Sequence, residues 1–91
     1  MYTVYILRSY KTGKIYTGFT QRPIEERLAE HNSGQTISTK HGAPYQLIRT
    51  EIFQTRELAS NRERFLKSGK GRSIIHALIN AGKGNHQTSS L

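Results

Sequence analysis

Two short apolar stretches open this chain, Thr3-Val4-Tyr5-Ile6-Leu7 and Ile15-Tyr16-Thr17-Gly18-Phe19, with the turn residues Lys11-Thr12-Gly13 between them. Both are rich in β-branched and aromatic residues, so we predict two strands that a tight connection folds into a hairpin. The hairpin is predicted to set Tyr5 nearly opposite Tyr16 on one sheet face. Cross-strand aromatic pairs are also common packing devices, each stabilising by about 0.2–1 kcal/mol, so the pair alone does not indicate function.

The composition of the chain is strongly basic. Its 91 residues include 14 Lys and Arg against six acidic residues, which gives a formal net charge of +8. A charge of this size on a small domain creates an electrostatic field that attracts polyanions. Nucleic acid is therefore the predicted partner, with DNA first and RNA as the alternative. No segment combines the long basic face and bulky apolar face that adsorption to a membrane requires.

Several residue types and signals are missing from the chain. The absence of Cys excludes disulfides, thiolate zinc sites and cysteine nucleophiles, and it fits a reducing, cytoplasmic setting. The N-terminal residues lack the features of a signal peptide, and no apolar run approaches membrane-spanning length. All six acids are Glu, so a two-metal centre built on clustered carboxylates is hard to assemble. Any metal is expected to have few protein ligands.

The first predicted helix follows the hairpin. It is expected to begin near Pro23, which suits a first-turn position, and to end at Gly34. Ile24 and Leu28 are predicted to form its buried stripe, with Arg27 and His31 together along the flank, because residues four apart share a helix face. A solvated Arg–His pair, or Arg27 paired with a glutamate such as Glu30, is the alternative interpretation.

A polar segment broken by Gly and Pro, residues 34–44, is predicted to be a long loop. Its Ser38, Thr39, Lys40 and His41 can all donate hydrogen bonds to phosphate oxygens, so it is a candidate nucleic-acid contact. A flexible connector has the same composition.

The second half of the chain is predicted to hold one strand and two helices. The strand covers residues 45–53, and Thr55 is expected to cap a helix running to about Ser68. In that helix, core positions are predicted for four apolar residues: Leu58, Ala59, Phe65 and Leu66. Gly69 is expected to end the helix and residues 73–81 to form the last one. We therefore predict an α+β domain, residues 1–81, in the order β-β-α-β-α-α, with a disordered tail at 82–91 and a monomeric or weakly dimeric state.

Charged residues of the second helix and the following turn are candidates for binding. Arg62 is predicted near the centre of the apolar stripe, where it either snorkels or binds a phosphate. Glu63 falls at the edge of the stripe, and the alternative for it is a surface salt bridge with Lys67, four residues on. The complete predicted nucleic-acid-binding set is Lys14, Ser38, Thr39, Lys40, His41, Arg62, Lys67, Lys70 and Arg72.

Hydrolysis of a phosphodiester needs an activated water and neutralisation of charge in the transition state. The chain offers phenols for the proton of the water, Arg27 for the charge and Glu63 to hold one divalent cation. Each assignment is weak singly. Their order along the chain is more specific: two hairpin tyrosines, then a helix with Arg and His, then a helix with a half-buried Glu.

That order resembles the GIY-YIG nuclease superfamily, especially its small single-domain members, over roughly residues 2–79. Thr3-Val4-Tyr5 stands where Gly-Ile-Tyr is expected, without its glycine, and Tyr16-Thr17-Gly18 stands for Tyr-Ile-Gly. Arg27 and His31 match the motif helix, and residues 59–67 match the helix that carries the glutamate. The asparagine that many members carry after this helix has no clear counterpart, because Asn80 is poorly placed.

The resemblance implies a three-stranded antiparallel sheet flanked by helices, and a Mg²⁺-dependent (or Mn²⁺-dependent) endonuclease of low sequence specificity. The implied catalytic residues are Tyr5, Tyr16, Arg27, His31 and Glu63, with Glu63 as the metal ligand. Single-stranded, branched or damaged DNA is the expected substrate class, in repair or recombination. The alternative is a module that binds DNA or RNA on the same scaffold without cutting it. A nuclease of the HNH type, suggested by His31-Asn32, is disfavoured because a downstream histidine ligand at helical spacing is missing.

Overall fold

The computed structural model describes residues 1–36 and 39–88, of which 81–88 by their backbone alone. The elements are β1 (Tyr2–Ser9), β2 (Ile15–Thr20), α1 (Ile24–Asn32), β3 (Tyr45–Phe53), α2 (Arg56–Lys67) and α3 (Gly69–Thr88). The three strands form one antiparallel sheet in the order β2-β1-β3. The predicted α+β fold and its order of elements are thus confirmed.

The register of the hairpin corrects one prediction. Tyr5 lies opposite Gly18, whereas Tyr16 lies opposite Leu7, so the two tyrosines are diagonal neighbours on the same face. The cause is the connection, residues 10–14, in which the amides of Ser9 and Gly13 donate to the carbonyls of Lys14 and Ser9, both at 2.9 Å. Gly13 has φ +76° there, a value that suits glycine.

The two faces of the sheet carry separate core clusters. On one face, Val4 and Ile6 of β1 pack against Ala59, Leu66 and Ile75 from α2 and α3. On the other face, a second cluster is formed by Tyr5 and Leu7 of β1 with Tyr45, against which Tyr16, Ile24, Leu28, Ala43 and Leu47 pack. Alternation of side chains along β1 therefore sends neighbouring residues into different cores.

Strand β3 contains an irregularity. Ile6 pairs with Arg49 and Leu7 with Leu47, so Ile48 is an extra residue without a partner in β1. This is the arrangement of a β-bulge, which bends the strand that carries it.

Helix α2 begins as predicted, but part of its predicted core face was wrong. The Thr55 hydroxyl accepts from the amide of Leu58 at 3.2 Å, which is an N-cap. Ala59 and Leu66 are buried, yet Leu58 is 52% exposed and Phe65 is 37% exposed. Residues seven apart lie on nearly the same line of a helix, and only the line of Ala59 and Leu66 meets the sheet.

Helix α3 begins earlier than predicted, and the expected turn at residues 67–72 is largely helical. Ser68 ends α2 in an extended conformation, and its hydroxyl accepts from the amide of Gly71 at 3.3 Å. Ser68 therefore caps α3, and Gly69 starts that helix instead of ending α2. The helix runs through Thr88, past the predicted end at residue 81, since each added residue gains a hydrogen bond once a helix has formed. The remainder of the predicted tail, 89–91, lies outside the described residues.

Among the described residues, no helix combines the length and apolar character that crossing a membrane requires.

Candidate active site

Gly18 makes room for the two tyrosines of the hairpin. A Cβ atom at Gly18 would lie 2.7 Å from the hydroxyl oxygen of Tyr5 and 3.2 Å from the ring of Tyr16. The two rings are 6.3 Å apart between centroids. Glycine inside a strand often marks such a close approach. Tyr5 can therefore lie across β2, which is an edge of the sheet.

The Tyr5 hydroxyl is enclosed by two side chains of α1. It lies 3.0 Å from Nε2 of His31 and accepts from Nε of Arg27 at 3.3 Å. The side chain of Tyr5 is only 1% exposed. Burial raises the pKa of Tyr5 above its ordinary value, although the hydrogen bond from Arg27 opposes this. Tyr5 therefore keeps its proton at neutral pH.

His31 is fully buried, at 0% exposure, and lies among the tyrosine side chains of the site. Its ring packs against Tyr5, Tyr16 and Tyr45 with centroid distances of 5.7, 5.0 and 6.3 Å. Its Nδ1 atom lies 2.6 Å from the hydroxyl of Thr39. Burial, and next the charge of Arg27, lower the pKa of His31 below its ordinary value, so the imidazole is neutral at pH 7. The sequence pattern predicts a position for His31 along the flank of α1, whereas the structure buries its side chain completely.

Arg27 is held beside Tyr5 by a carboxylate. Its Nη1 donates to Glu30 at 2.8 Å, and Arg22 binds the same carboxylate. Arg22 also lies 3.7 Å from the carboxylate of Glu26, so two guanidinium groups face two carboxylates at this point. The side chain of Arg27 is 27% exposed, so its guanidinium is partly open to solvent. The alternative pairing of Arg27 with Glu30 is therefore present together with the contact to Tyr5.

Glu63 lies on α2, which packs on the other face of the sheet. Its carboxylate lies 3.6 Å from Nζ of Lys67, and that nitrogen lies 5.9 Å from the ring centre of Tyr16. The Glu63 side chain is 22% exposed. Its negative charge also contributes to the raised pKa of Tyr5. The predicted salt bridge with Lys67 exists, and its lysine lies near the ring of Tyr16.

The set of possible metal ligands is small. Within residues 1–36 and 39–80, no group of three or more His, Asp and Glu side chains is placed to hold a metal ion. A Mg²⁺ ion commonly binds through one or two carboxylates, with water and substrate phosphate supplying its other ligands. A single, partly exposed carboxylate at Glu63 fits that mode of binding.

A groove of about 570 Å³ runs from Tyr16 between β2 and the α2–α3 pair. Its walls include Ile15, Leu66 and Ile75, and its basic lining consists of Lys14, Lys67, Arg72 and His76. Among the described residues that line it there is no carboxylate. The groove therefore places Tyr16 beside a positively charged channel of the kind that follows a phosphate backbone.

The structure divides the predicted nucleic-acid-binding residues into three groups. Lys14, Lys67 and Arg72 line the groove, and Lys40, His41 and Lys70 are exposed elsewhere. Thr39 is 1% exposed and bonded to His31, while Arg62 donates twice to Glu51, at 2.8 and 3.1 Å. Thr39 therefore does not face solvent as a phosphate contact requires, whereas the Arg62 side chain is 31% exposed but is already paired with Glu51. Ser38 lies outside the described residues, and Asn80 is exposed on α3.

Four residues of the site were absent from the sequence-based set. Gly18 had a signal, because glycine in the middle of a strand pattern indicates close packing. Tyr45, which packs on His31, and Asn32, whose side chain accepts from the Tyr45 amide at 2.7 Å, had none. His76 lines the groove because α3 forms one of its walls. These contacts depend on how distant segments meet.

The chain has relatives among known proteins. The family model of the GIY-YIG catalytic domain matches residues 1–74. A UPF0213 protein of Staphylococcus saprophyticus is 39% identical over 66 residues, covering 71% of this chain and 78% of its own. A UPF0213 protein of Haloquadratum walsbyi is 42% identical over 55 residues (59% and 61%), and one of Natronomonas pharaonis is 38% identical over 66 residues (71% and 75%).

No solved structure matches the chain. The family model nevertheless spans both tyrosine stretches and all three of Arg27, His31 and Glu63. It indicates a nuclease-type hydrolase with nucleic acid as its substrate. The resemblance seen in the sequence is confirmed, and the chain belongs to the GIY-YIG family.

Proposed function

We propose that this protein is a metal-dependent endonuclease that hydrolyses DNA phosphodiester bonds with low sequence specificity. One observation carries the proposal: the Tyr5 hydroxyl is bonded to both His31 and Arg27, with Tyr16 alongside at the mouth of a basic groove. A phenol, a neutral imidazole and a guanidinium are thus brought together where a phosphate can arrive. A surface that only bound nucleic acid would need none of the buried part of this arrangement.

The two tyrosines have different parts in the proposed reaction. Tyr16 is partly exposed and lines the groove, so its hydroxyl is the one that can meet the attacking water. Tyr5 is buried and keeps its proton. Tyr5 therefore does not contact the water, and its part is to hold Arg27 and His31 in place. An accessible general base must come within hydrogen-bond reach of the water, a condition that favours Tyr16.

Arg27 is the proposed stabiliser of transition-state charge. Its Nε and Nη1 are fixed by Tyr5 and Glu30, which orients the guanidinium before a substrate binds. The partly open side of the side chain can donate to nonbridging phosphate oxygens. Donors that are oriented in advance act most strongly on charge that develops during the reaction.

Glu63 is the residue that would hold a divalent cation. Its carboxylate is partly exposed and shares the neighbourhood of Tyr16 with Lys67. When bound, such an ion would supply neutralisation of charge at the scissile phosphate. Lys67 would then turn from Glu63 toward the DNA backbone, since its exposed amine also lines the groove.

The groove supports low specificity. Its cations, Lys14, Lys67 and Arg72, are suited to phosphates, and phosphate contacts carry no sequence information. Single-stranded, branched and damaged DNA are the proposed substrates.

The test is cleavage of end-labelled single-stranded, duplex and branched DNA, and of RNA, with Mg²⁺, with Mn²⁺ and with a chelator. Wild type is expected to cut DNA only with a metal. Glu63→Gln and Arg27→Ala should each slow cleavage at least about 100-fold, the usual loss when an electrostatic partner of the transition state is removed. Glu63→Gln should bind DNA at least as tightly as wild type, because it removes a negative charge.

The matched control is Glu57→Gln, which changes an exposed glutamate on the same helix and should leave cleavage unchanged. Melting curves of all variants separate lost chemistry from lost folding. Cleavage that survives both site substitutions would refute the assignment. If wild type binds DNA but cuts no substrate, the protein is the non-catalytic binding module instead.

A further inference from the structure

Thr39 lies behind the site instead of on the surface that its sequence suggested. Its side chain is 1% exposed. The hydroxyl oxygen lies 2.6 Å from Nδ1 of His31 and donates to the carbonyl of Thr36 at 3.4 Å. The loop between α1 and β3 therefore contributes a buried hydroxyl to the site, while the adjacent Lys40 and His41 stay exposed.

The donors and acceptors of the cluster fix where each proton lies. Nε of Arg27 can only donate, so the Tyr5 oxygen accepts from it. The phenolic proton of Tyr5 then needs an acceptor, and Nε2 of His31 at 3.0 Å supplies one only if it carries no proton. Neutral His31 must therefore carry its proton on Nδ1, from which it donates to Thr39.

The opposite orientation fails at Tyr5. If Thr39 donated to Nδ1, His31 would carry its proton on Nε2 and donate to an oxygen that already accepts from Arg27. The phenolic proton of buried Tyr5 would then have no partner, which is costly in a protein interior. In the first orientation, an unbroken series of hydrogen bonds runs from Arg27 through Tyr5, His31 and Thr39 to the Thr36 carbonyl. Among the described side chains, no buried nitrogen or oxygen lacks a partner.

We propose that Thr39 is a positioning residue: its hydroxyl holds the proton of His31 on Nδ1 and so keeps the phenolic proton of Tyr5 directed at Nε2. Partners of this kind commonly set the tautomer and ring orientation of a functional histidine. The lowered pKa of His31, caused by burial and Arg27, supports a neutral ring. The effect on cleavage rests on the proposed function, whereas the tautomer of His31 does not.

The test uses three variants of the full chain. Thr39→Val keeps the shape of the side chain and removes the hydroxyl, Thr39→Ser keeps the hydroxyl, and Lys40→Gln changes the exposed neighbour. The first measurement is ¹⁵N–¹H correlation of the His31 ring without DNA or metal. We expect a bare Nε2 in wild type, Thr39→Ser and Lys40→Gln, and a mixture of tautomers or a protonated Nε2 in Thr39→Val.

The second measurement is cleavage of DNA under the conditions of the preceding test. Thr39→Val should lower kcat about tenfold with KM nearly unchanged, a usual size for the loss of a partner behind a functional histidine, and Thr39→Ser should restore the rate to within about twofold of wild type. A purely structural role would not move the tautomer or depend on the hydroxyl.

The outcomes separate this proposal from the proposed function. A protonated Nε2 in wild type, or an unchanged tautomer in Thr39→Val, overturns the role of Thr39. A tautomer that shifts as expected in a protein that cuts nothing supports the positioning role and refutes the nuclease. If Thr39→Val fails to fold, wild type and Thr39→Ser still decide, since a proton on Nε2 in either contradicts the proposal.

Discussion

The two faces of β1 are equally buried but hold their neighbours in different ways. Val4 and Ile6 are each 1% exposed among apolar side chains of α2 and α3. Tyr5, between them in sequence, is also 1% exposed, but its contacts include hydrogen bonds to Arg27 and His31. One strand thus supplies an apolar core on one side and a polar network on the other.

The difference teaches where stability and chemistry reside in so small a domain. A fully buried Ile or Leu stabilises by about 1.5–3 kcal/mol, whatever its exact neighbours. A buried hydrogen bond contributes only about 0.5–1.5 kcal/mol net, yet leaving its partner unmet costs about 1–3 kcal/mol. The α2–α3 face is therefore expected to set the unfolding free energy, and the α1 face to set the geometry of the site.

The largest expected effect is on the free energy of unfolding, and it comes from a change at Gly71, on the apolar side of the sheet. A Cβ atom there would collide with the carbonyl oxygen of Phe65 and with Cα of Leu66. Because both are backbone atoms, α2 and α3 would have to separate. Gly71→Ala should lower the free energy of unfolding by about 3 kcal/mol, the upper part of the range for overpacking, as measured by urea titration.

Gly69 provides the matched control two residues earlier in the same helix. A Cβ atom there meets nothing within 4 Å, so Gly69→Ala should be neutral or stabilise by up to about 1 kcal/mol through helix propensity. Equal losses for the two variants would contradict the close approach of α2 and α3 as the cause, because a Cβ atom at Gly69 meets no such contact.

The second effect concerns the polar side. Tyr5→Phe keeps the ring but leaves Nε2 of His31 and Nε of Arg27 without their shared partner. We expect the single-turnover cleavage rate to fall about 100-fold, a usual loss when catalytic groups are displaced from their alignment, and the unfolding free energy to fall by only about 1–2 kcal/mol.

Tyr10→Phe is the control for that change, since Tyr10 is 67% exposed and its variant should match wild type in both measurements. A Tyr5→Phe protein that cleaves at the wild-type rate would mean that the polar face is a second core and not a site.

The smallest effect tests a polar contact on the apolar side. Glu51 of β3 accepts two bonds from Arg62 and one from Arg49. The Arg62 guanidinium holds the pKa of Glu51 below its ordinary value, against the opposing effect of burial. Glu51→Gln should lower the unfolding free energy at pH 7 by about 1.5 kcal/mol, a usual size for bonds to a charged group.

The pH dependence of that loss follows from the direction of the shift. A carboxylate whose native pKa is lowered stabilises the fold above its ordinary pKa, and this stabilisation disappears as the pH falls through the native value. The difference between wild type and Glu51→Gln should therefore shrink below about pH 4, as measured by urea titrations from pH 7 to 3. A constant difference over that range would contradict the assignment.

Local patterns predicted most of the fold. The content of β-branched and aromatic residues predicted the strands, Thr55 marked the start of α2, and Gly34, with φ +81°, follows the end of α1 as expected. Two errors arose where local rules compete: Ser68 caps α3 although Gly69 suggested an end to α2, and the line of Ala59 and Leu66 faces the sheet although Leu58 and Phe65 are larger. Helix propensity and apolar size do not decide such choices; packing does.

The candidate site was predicted less completely. The types and order of Tyr5, Tyr16, Arg27, His31 and Glu63 are visible in the sequence, and their roles remain predictions. The contact of His31 with Thr39 was not visible, because it joins residues eight apart through an irregular loop. The diagonal placement of the tyrosines also depended on the hairpin connection, which strand propensity does not fix.

The bulge at Ile48 has a consequence for assembly. Strand β3 is an edge of the sheet, and a straight edge strand offers a row of unpaired amides and carbonyls on which another chain can add itself. The extra residue bends β3 and breaks the even spacing of those groups. A second copy would have to reproduce the same irregularity to extend the sheet, so the bulge protects a small, highly charged domain from growing into strand-by-strand aggregates.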